Sequence, residues 1–142
     1  MRIPLTPLLV AFALSACGDS TDSPGNPGGG AATGGSEFVL AVGQEVWVDS
    51  LLRLSVTGVP ADSRCPARVQ CVWAGDGAVA IAHGLGMGPS YPDTLHTTLD
   101  PHSVRFGGYA ITLLELTPYP QDPGAIRPED YRVRLGVARL PD

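Results

Sequence analysis

From Glu37 onward the sequence is a succession of short apolar segments separated by turn residues, and this alternation constrains the fold most strongly. Segments rich in β-branched and aromatic residues are typical of strands when Gly, Asp, Ser or Pro lie between them. Strands are predicted over residues 38–42, 45–48, 52–56, 72–73, 78–82, 94–99, 109–116 and 131–137. The last is the clearest, because apolar residues from Tyr131 to Val137 alternate with Arg and small residues. No segment shows a sustained helical period.

Turn residues refine this prediction. The Asp76-Gly77 pair predicts a hairpin between residues 72–73 and 78–82, because Gly accepts a positive φ without steric cost. Residues 94–99 are predicted to form an edge strand and residues 109–116 a buried one. Prolines between the last two strands exclude a helix there and leave room for a single turn near residues 127–130. About seven short strands predict one all-β domain over 37–142, a β-sandwich of immunoglobulin-like type or a partly open barrel.

The N-terminus has the pattern of an export signal. Arg2 precedes an apolar stretch, Ile3 to Ala16, that is shorter than the roughly 20 residues a helix needs to span a bilayer. Leu14-Ser15-Ala16-Cys17 resembles the lipobox of bacterial lipoproteins. That resemblance implies that residues 1–16 are a signal peptide and that Cys17 carries the lipid. An ordinary secretory signal ending in an Ala-x-Ala site is the alternative.

The segment from Cys17 to Ser36 is predicted to be a tether. It contains mostly Gly, Ser, Thr, Pro, Asp and Asn, and this composition cannot bury enough apolar surface to offset the entropy of ordering. The resemblance to the lipobox implies a location in the bacterial cell envelope, with the protein held by membrane lipid through acylated Cys17. Gly18 does not resemble the best-known signal for retention in the inner membrane, which favours the outer membrane.

The three cysteines fit this interpretation. Assigning Cys17 to lipid leaves Cys65 and Cys71 as a pair, and an oxidising compartment permits a disulfide between them. A metal or redox site is the alternative, but the Cys-x₅-Cys spacing matches neither Cys-x-x-Cys nor a zinc-ligand pattern.

The segment around this pair is the second informative feature. Asp-Ser-Arg-Cys-Pro at 62–66 precedes Cys-Val-Trp-Ala-Gly at 71–75, and Leu-Thr-Pro-Tyr-Pro follows at 116–120. These strings resemble segments of secreted bacterial proteins of uncharacterised function, a resemblance that implies a related fold and no activity. Arg64, Arg68 and Trp73 are the candidate interaction residues, because Arg and Trp are enriched at interface hot spots. The structural alternative is a crossover that covers the core, with Trp73 buried beneath it and Arg64 neutralised by Asp62.

Composition and motifs narrow the function. The formal net charge is −5, and the sequence has no cluster of basic residues of the kind that binds nucleic acid. No catalytic motif, cofactor motif or metal-ligand pattern is present. His83, His96 and His102 are the only histidines, with Asp93 and Asp100 nearby in sequence. We expect a non-enzymatic binding or structural module with an envelope protein as a partner. The alternatives are an envelope hydrolase or metal-dependent enzyme that uses the histidines, and a protease inhibitor that presents Arg68.

Overall fold

The computed structural model of this protein describes residues 35–141. The predicted signal peptide, Cys17 and the tether as far as residue 34 lie outside the described residues. The first strand begins at Gly35, two residues before the predicted start of the domain at Glu37, because Gly35 and Ser36 already pair with the last strand.

The described residues form two four-stranded antiparallel sheets packed as a sandwich. The first sheet has the order β1-β8-β7-β6 and the second the order β2-β3-β4-β5. The strands are β1 Gly35–Ala41, β2 Glu45–Trp47, β3 Leu52–Asp62, β4 Gly77–Leu85, β5 Tyr91–His96, β6 Ser103–Phe106, β7 Tyr109–Thr117 and β8 Arg132–Arg139, and one 3-10 turn spans Pro128–Asp130. The predicted β-sandwich is confirmed, and the sheets are not closed into a barrel.

The core lies between the two sheets and follows the alternation seen in the sequence. On β8, Val133 and Leu135 are fully buried, whereas Arg132 and Arg134 face outward. Leu54 and Ile81 from the second sheet and Ile111 from the first are fully buried as well. Each such side chain contributes about 1.5–3 kcal/mol to stability when it leaves water. Both sheets therefore contribute fully buried side chains to this core.

Three elements differ from the prediction. Residues 72–73 are not a strand, because β3 continues to Asp62 and pairs directly with β4, with Asp62 opposite Gly77. The strand β6 was not predicted. The sequence feature that indicates this strand is the Gly107-Gly108 pair. Both glycines have positive φ angles and form the turn of the hairpin between β6 and β7. The strand β5 is at a sheet edge as predicted, but it ends at His96.

The two ends of the sandwich carry different parts of the chain. At one end, which we call the tether pole, the described chain begins with Gly35 opposite Ala138. At the other end, the loop pole, β3 and β7 end and β4 and β8 begin, and Thr117 lies opposite Arg132. A rise of about 3.3 Å per residue along β8 separates the two poles by roughly 23 Å.

Candidate functional site

The connection between β3 and β4, residues 63–76, is closed at its base by backbone hydrogen bonds, and we call it the stapled loop. Ser63 N–H donates to Asp76 O at 2.7 Å, and Cys65 N–H donates to Ala74 O at 2.7 Å. Gly75 has φ +71°, and a Cβ at this position would collide with the carbonyl of Ser63. Only glycine allows the two sides of the loop to approach so closely.

The tip of the loop is held by a covalent bond. Cys65 and Cys71 form the predicted disulfide, with their Cα atoms 6.0 Å apart. Inside the ring, Val69 N–H donates to Pro66 O at 3.1 Å and closes a turn. The tip is therefore restrained by both the disulfide and its own backbone.

The loop is also attached to the segment that follows β7. Ala67 N–H donates to Pro120 O at 2.9 Å, and Arg68 N–H donates to Gln121 O at 3.1 Å. Pro120 is the last residue of the Leu-Thr-Pro-Tyr-Pro string, so that string packs against the tip of the stapled loop. The loop is fixed to the first sheet as well as to the second.

Arg64 lies inside this arrangement and is not an exposed interaction residue. Its side chain is 6% exposed and forms an ion pair with Asp62 at 2.7 Å. It also donates to the carbonyl of Leu116, and its Nη2 donates to Pro118 O at 2.9 Å. The strand β6 pairs β7 only as far as Thr112, so the guanidinium occupies part of an edge of β7 that no strand covers. Arg64 therefore fastens the loop to the end of β7.

Asp62 and Tyr131 complete this cluster. The Tyr131 hydroxyl donates to Asp62 Oδ2 at 2.9 Å. Burial raises the pKa of Asp62, but the hydrogen bonds donated by Arg64 and Tyr131 outweigh it, and the pKa is lowered from its ordinary value. Burial and the bond to Asp62 raise the pKa of Tyr131 to about 12. At neutral pH the cluster is therefore an ionised pair with a protonated tyrosine.

The other two candidate residues, Arg68 and Trp73, are at the surface. Arg68 is 69% exposed and forms an ion pair with Asp122 at 2.9 Å. Trp73 is 81% exposed and its neighbour Val72 is 97% exposed, so the expectation that Trp73 is buried under the loop is wrong. The backbone of the tip is held by the ring and by residues 120–121, and this leaves the indole outside the core. The structure thus separates the three candidates: Arg64 is part of the scaffold, and Arg68 and Trp73 lie on the surface.

A groove lies at the loop pole, and Ala74, the residue that follows Trp73 in the chain, is part of its lining. Its volume is about 280 Å³. It lies between the end of β7, the turn after β5 and the stapled loop. The lining residues are Arg64, Ala74, Thr97, Thr98, Leu113, Leu114, Glu115, Leu116 and Tyr119. The Arg64 guanidinium lies 5.4 Å from the centroid of the Tyr119 ring, a cation–π contact that holds this ring at the side of the groove.

One carboxylate that no sequence motif indicates organises the far side of the groove. Asp76 Oδ1 accepts the backbone N–H of Thr98 at 2.9 Å, and Asp76 Oδ2 lies 2.6 Å from His96 Nδ1. Burial raises the pKa of Asp76, but the bonds from His96 and Thr98 outweigh it and the pKa is lowered. The sequence offered Asp76 only as a turn residue, because its partners lie about 20 residues further along the chain.

The three histidines do not come together. His83 is buried with Nε2 2.6 Å from Asp93, and the His96 ring pairs with Asp76. His102 Nδ1 lies 2.8 Å from the backbone carbonyl of His96, so these two residues are neighbours, but their rings have different partners and His83 is not among them. Within residues 35–141, no group of three His, Cys, Asp or Glu side chains is arranged to hold a metal ion.

Comparisons with protein families, with curated proteins and with solved structures give no match to this chain. Among the described residues, no helix has the length and apolar character required to cross a membrane.

Proposed function

We propose that this protein is an envelope-anchored binding module that recognises its ligand through the stapled loop. The observation that carries this proposal is the exposure of Trp73 and Val72 on a loop whose backbone is held in place. Exposed apolar side chains that lie beside a groove are typical of binding surfaces. Neither an enzyme that uses the histidines nor a protease inhibitor that presents Arg68 is favoured by a specific contact.

Rigidity makes such a loop suited to binding. A flexible loop loses conformational entropy when it binds, at a cost of about 0.5–1.5 kcal/mol for each immobilised side chain. Here the disulfide and the bonds to residues 120–121 have already ordered the backbone. Trp73 therefore offers a large contact area at a small entropic cost.

The position of the loop supports the same proposal. Gly35, near the end of the predicted tether, is at the tether pole, and the stapled loop is at the opposite pole. If Cys17 carries lipid, the 17 residues from 18 to 34 that precede β1 reach about 23 Å by the scaling for Gly-rich chains. The stapled loop is then on the end of the domain farther from the point of attachment, where the anchor does not block access to it.

Anchoring is tested separately from binding. Cys17→Ser should abolish incorporation of labelled palmitate, because the lipobox cysteine supplies the sulfur that receives the lipid. The variant should accumulate as a precursor with its signal peptide. Palmitate on the Cys17→Ser protein would refute the anchor and leave the binding surface untouched.

Binding is tested by capture from an envelope extract. The immobilised full chain is compared with Trp73→Ala and with the matched control Trp47→Ala. Trp47 is the second tryptophan, lies on β2 and is half-exposed. We expect a captured component that is lost with Trp73→Ala and kept with Trp47→Ala. Equal capture by all three proteins would refute recognition through the stapled loop.

A further inference from the structure

The groove at the loop pole is lined by both apolar side chains and side chains that can form hydrogen bonds. Leu114 and Tyr119 are among its lining residues, and both are partly exposed. Thr98 and Glu115 line it as well, and both are exposed. A ligand that fits must satisfy both kinds of surface.

The polar side chains that line the groove differ in whether they already have hydrogen-bond or ion-pair partners within the protein. The Thr97 hydroxyl accepts Gly77 N–H at 2.7 Å and donates to Asp76 at 3.3 Å. Arg64 is neutralised by Asp62 and bonded to two carbonyls. The Thr98 hydroxyl, in contrast, has no partner among the described residues, and the Glu115 carboxylate is 53% exposed with Arg134 3.5 Å away. Thr98 and Glu115 are therefore the groups available to a ligand.

These properties exclude two classes of ligand. An apolar side chain from a protein would remove Thr98 and Glu115 from water without offering them a hydrogen bond, at a cost of about 1–3 kcal/mol for each group. An anionic ligand would meet the carboxylate of Glu115 on a chain whose net charge is −5. The two charged lining residues, Arg64 and Glu115, each already lie beside an opposite charge, so a cation or an anion finds no unpaired partner in the groove. An uncharged ligand with an apolar face and hydroxyl groups fits this lining best.

We propose that the groove binds an uncharged oligosaccharide, an inference that rests on the proposed function and names its ligand class. A pyranose ring has a face of C–H bonds that packs on an aromatic ring, and a rim of hydroxyls that donate and accept hydrogen bonds. Tyr119 supplies an aromatic surface within the groove, and Trp73 supplies a second one next to the lining residue Ala74. Thr98 and Glu115 bond the hydroxyls of the bound sugar.

The size of the groove indicates a short segment of a longer chain. Its volume of about 280 Å³ is at the lower limit for small-molecule pockets, which range from about 300 to 1,000 Å³. The exposed indole of Trp73 extends the contact surface beyond the groove. An oligosaccharide should therefore bind more tightly than a monosaccharide.

The test is a titration of the full chain, purified in a detergent without a sugar headgroup, with three neutral hexasaccharides: hexa-N-acetylchitohexaose, cellohexaose and maltohexaose. Isothermal titration calorimetry should detect binding of at least one of them at millimolar concentration, and glucose should bind more weakly. Trp73→Ala and Thr98→Val should each lower the affinity about tenfold, the loss expected for one aromatic contact or one hydrogen bond. Trp47→Ala should leave the affinity unchanged.

The outcomes separate this inference from the proposed function. No heat of binding with any of the three hexasaccharides would overturn the inference, as would binding that neither Trp73→Ala nor Thr98→Val weakens. If the hexasaccharides fail while a protein is still captured in a Trp73-dependent manner, the binding function stands and the ligand class is wrong. Unchanged free energies of unfolding for both variants will show that a lost affinity reflects the groove itself.

Discussion

Two clusters of the same composition, each an Asp, a Tyr and an Arg, join the two sheets at opposite poles. At the loop pole Asp62 binds Arg64 and Tyr131, and at the tether pole Asp49 binds Arg139 at 2.9 Å and Tyr109 at 2.6 Å. The loop-pole pair is buried, with side chains 6% and 10% exposed. The tether-pole pair is open, with Arg139 68% and Asp49 31% exposed.

The difference shows how the same side chains serve different purposes. Asp49 also accepts the N–H groups of Leu51 and Leu52, so it shapes the turn that precedes β3. The hydrogen bond from Tyr109 and the two backbone bonds lower the pKa of Asp49. Arg64 instead reaches across to the end of β7 and fixes a loop that carries the exposed Trp73. The buried cluster therefore positions the candidate site, and the open cluster closes a turn.

The largest difference between the clusters should appear when their arginines are removed. Arg64→Ala leaves the Asp62 carboxylate buried without its charged partner and frees two carbonyls. It should lower the free energy of unfolding by about 3 kcal/mol, as expected for breaking a buried ion pair. Arg139→Ala removes an exposed pair and should cost much less, because water replaces the lost contact.

Urea denaturation of both variants at neutral pH measures this difference. Equal losses would show that burial does not distinguish the clusters. Asp62→Asn combined with Arg64→Met should recover part of the stability, because it removes both charges at once. No recovery would point to the carbonyl bonds of Arg64, and not the ion pair, as the main contribution.

The disulfide should have a smaller effect than Arg64, because it closes only a short ring. Cys65 and Cys71 are separated by 6 positions, and the chain-entropy estimate for such a ring is about 2 kcal/mol. The double variant Cys65→Ser, Cys71→Ser should lose about this much stability and keep its β-type circular dichroism spectrum. A loss as large as that of Arg64→Ala would mean that the tip supports the core as well as the loop.

The decrease in the free energy of unfolding at alkaline pH should distinguish Tyr131 from Tyr109. Tyr131 has a pKa of about 12 in the folded protein, whereas an ordinary tyrosine ionises near 10. Its contribution is fully present below pH 10 and is lost as the pH rises from 10 through 12, by about 2 kcal/mol for a shift of this size. Tyr131→Phe should flatten this decline.

Tyr109→Phe serves as the matched control for that experiment. The pKa of Tyr109 is also raised, chiefly by its hydrogen bond to Asp49. The Tyr109 ring is buried like that of Tyr131, but its partners Asp49 and Arg139 are 31% and 68% exposed. Tyr109→Phe should flatten the decline less than Tyr131→Phe does. The free energy of unfolding measured from pH 9 to 12 decides the point, and identical profiles for the two variants would contradict the contrast between the poles.

Much of the sandwich could be predicted from the sequence, because each strand carries its own local signal. The alternation from Tyr131 to Val137 and the prolines after β7 depend on neighbouring residues only, and both predictions are confirmed. The 3-10 turn at Pro128–Asp130 lies where a single turn was expected. The hairpin at Asp76-Gly77 was wrong for the same reason: its turn signal is local, whereas the continuation of β3 to Asp62 depends on pairing with β4.

The candidate site was less predictable because burial there is decided by distant residues. Arg64 is buried by contacts with Leu116 and Pro118, more than 50 positions away, and nothing near Arg64 in the sequence indicates them. Trp73 is exposed although tryptophan is usually well buried. The pairing of Cys65 with Cys71 could be predicted, because assigning Cys17 to lipid left only these two cysteines.

Arg68 should show the smallest effect on stability and thereby complete the contrast with Arg64. Both are arginines on the stapled loop, and each forms a close ion pair, but Arg68 and Asp122 are 69% and 60% exposed. Exposed pairs are screened by water and contribute little, so Arg68→Ala should lower the free energy of unfolding by less than about 0.5 kcal/mol. The hydrogen bond that attaches Arg68 to Gln121 comes from its backbone and survives the substitution. Urea denaturation in low and high salt will test this expectation. A loss comparable to that of Arg64→Ala would show that the tip of the loop, and not the buried cluster at its base, fixes the position of Trp73.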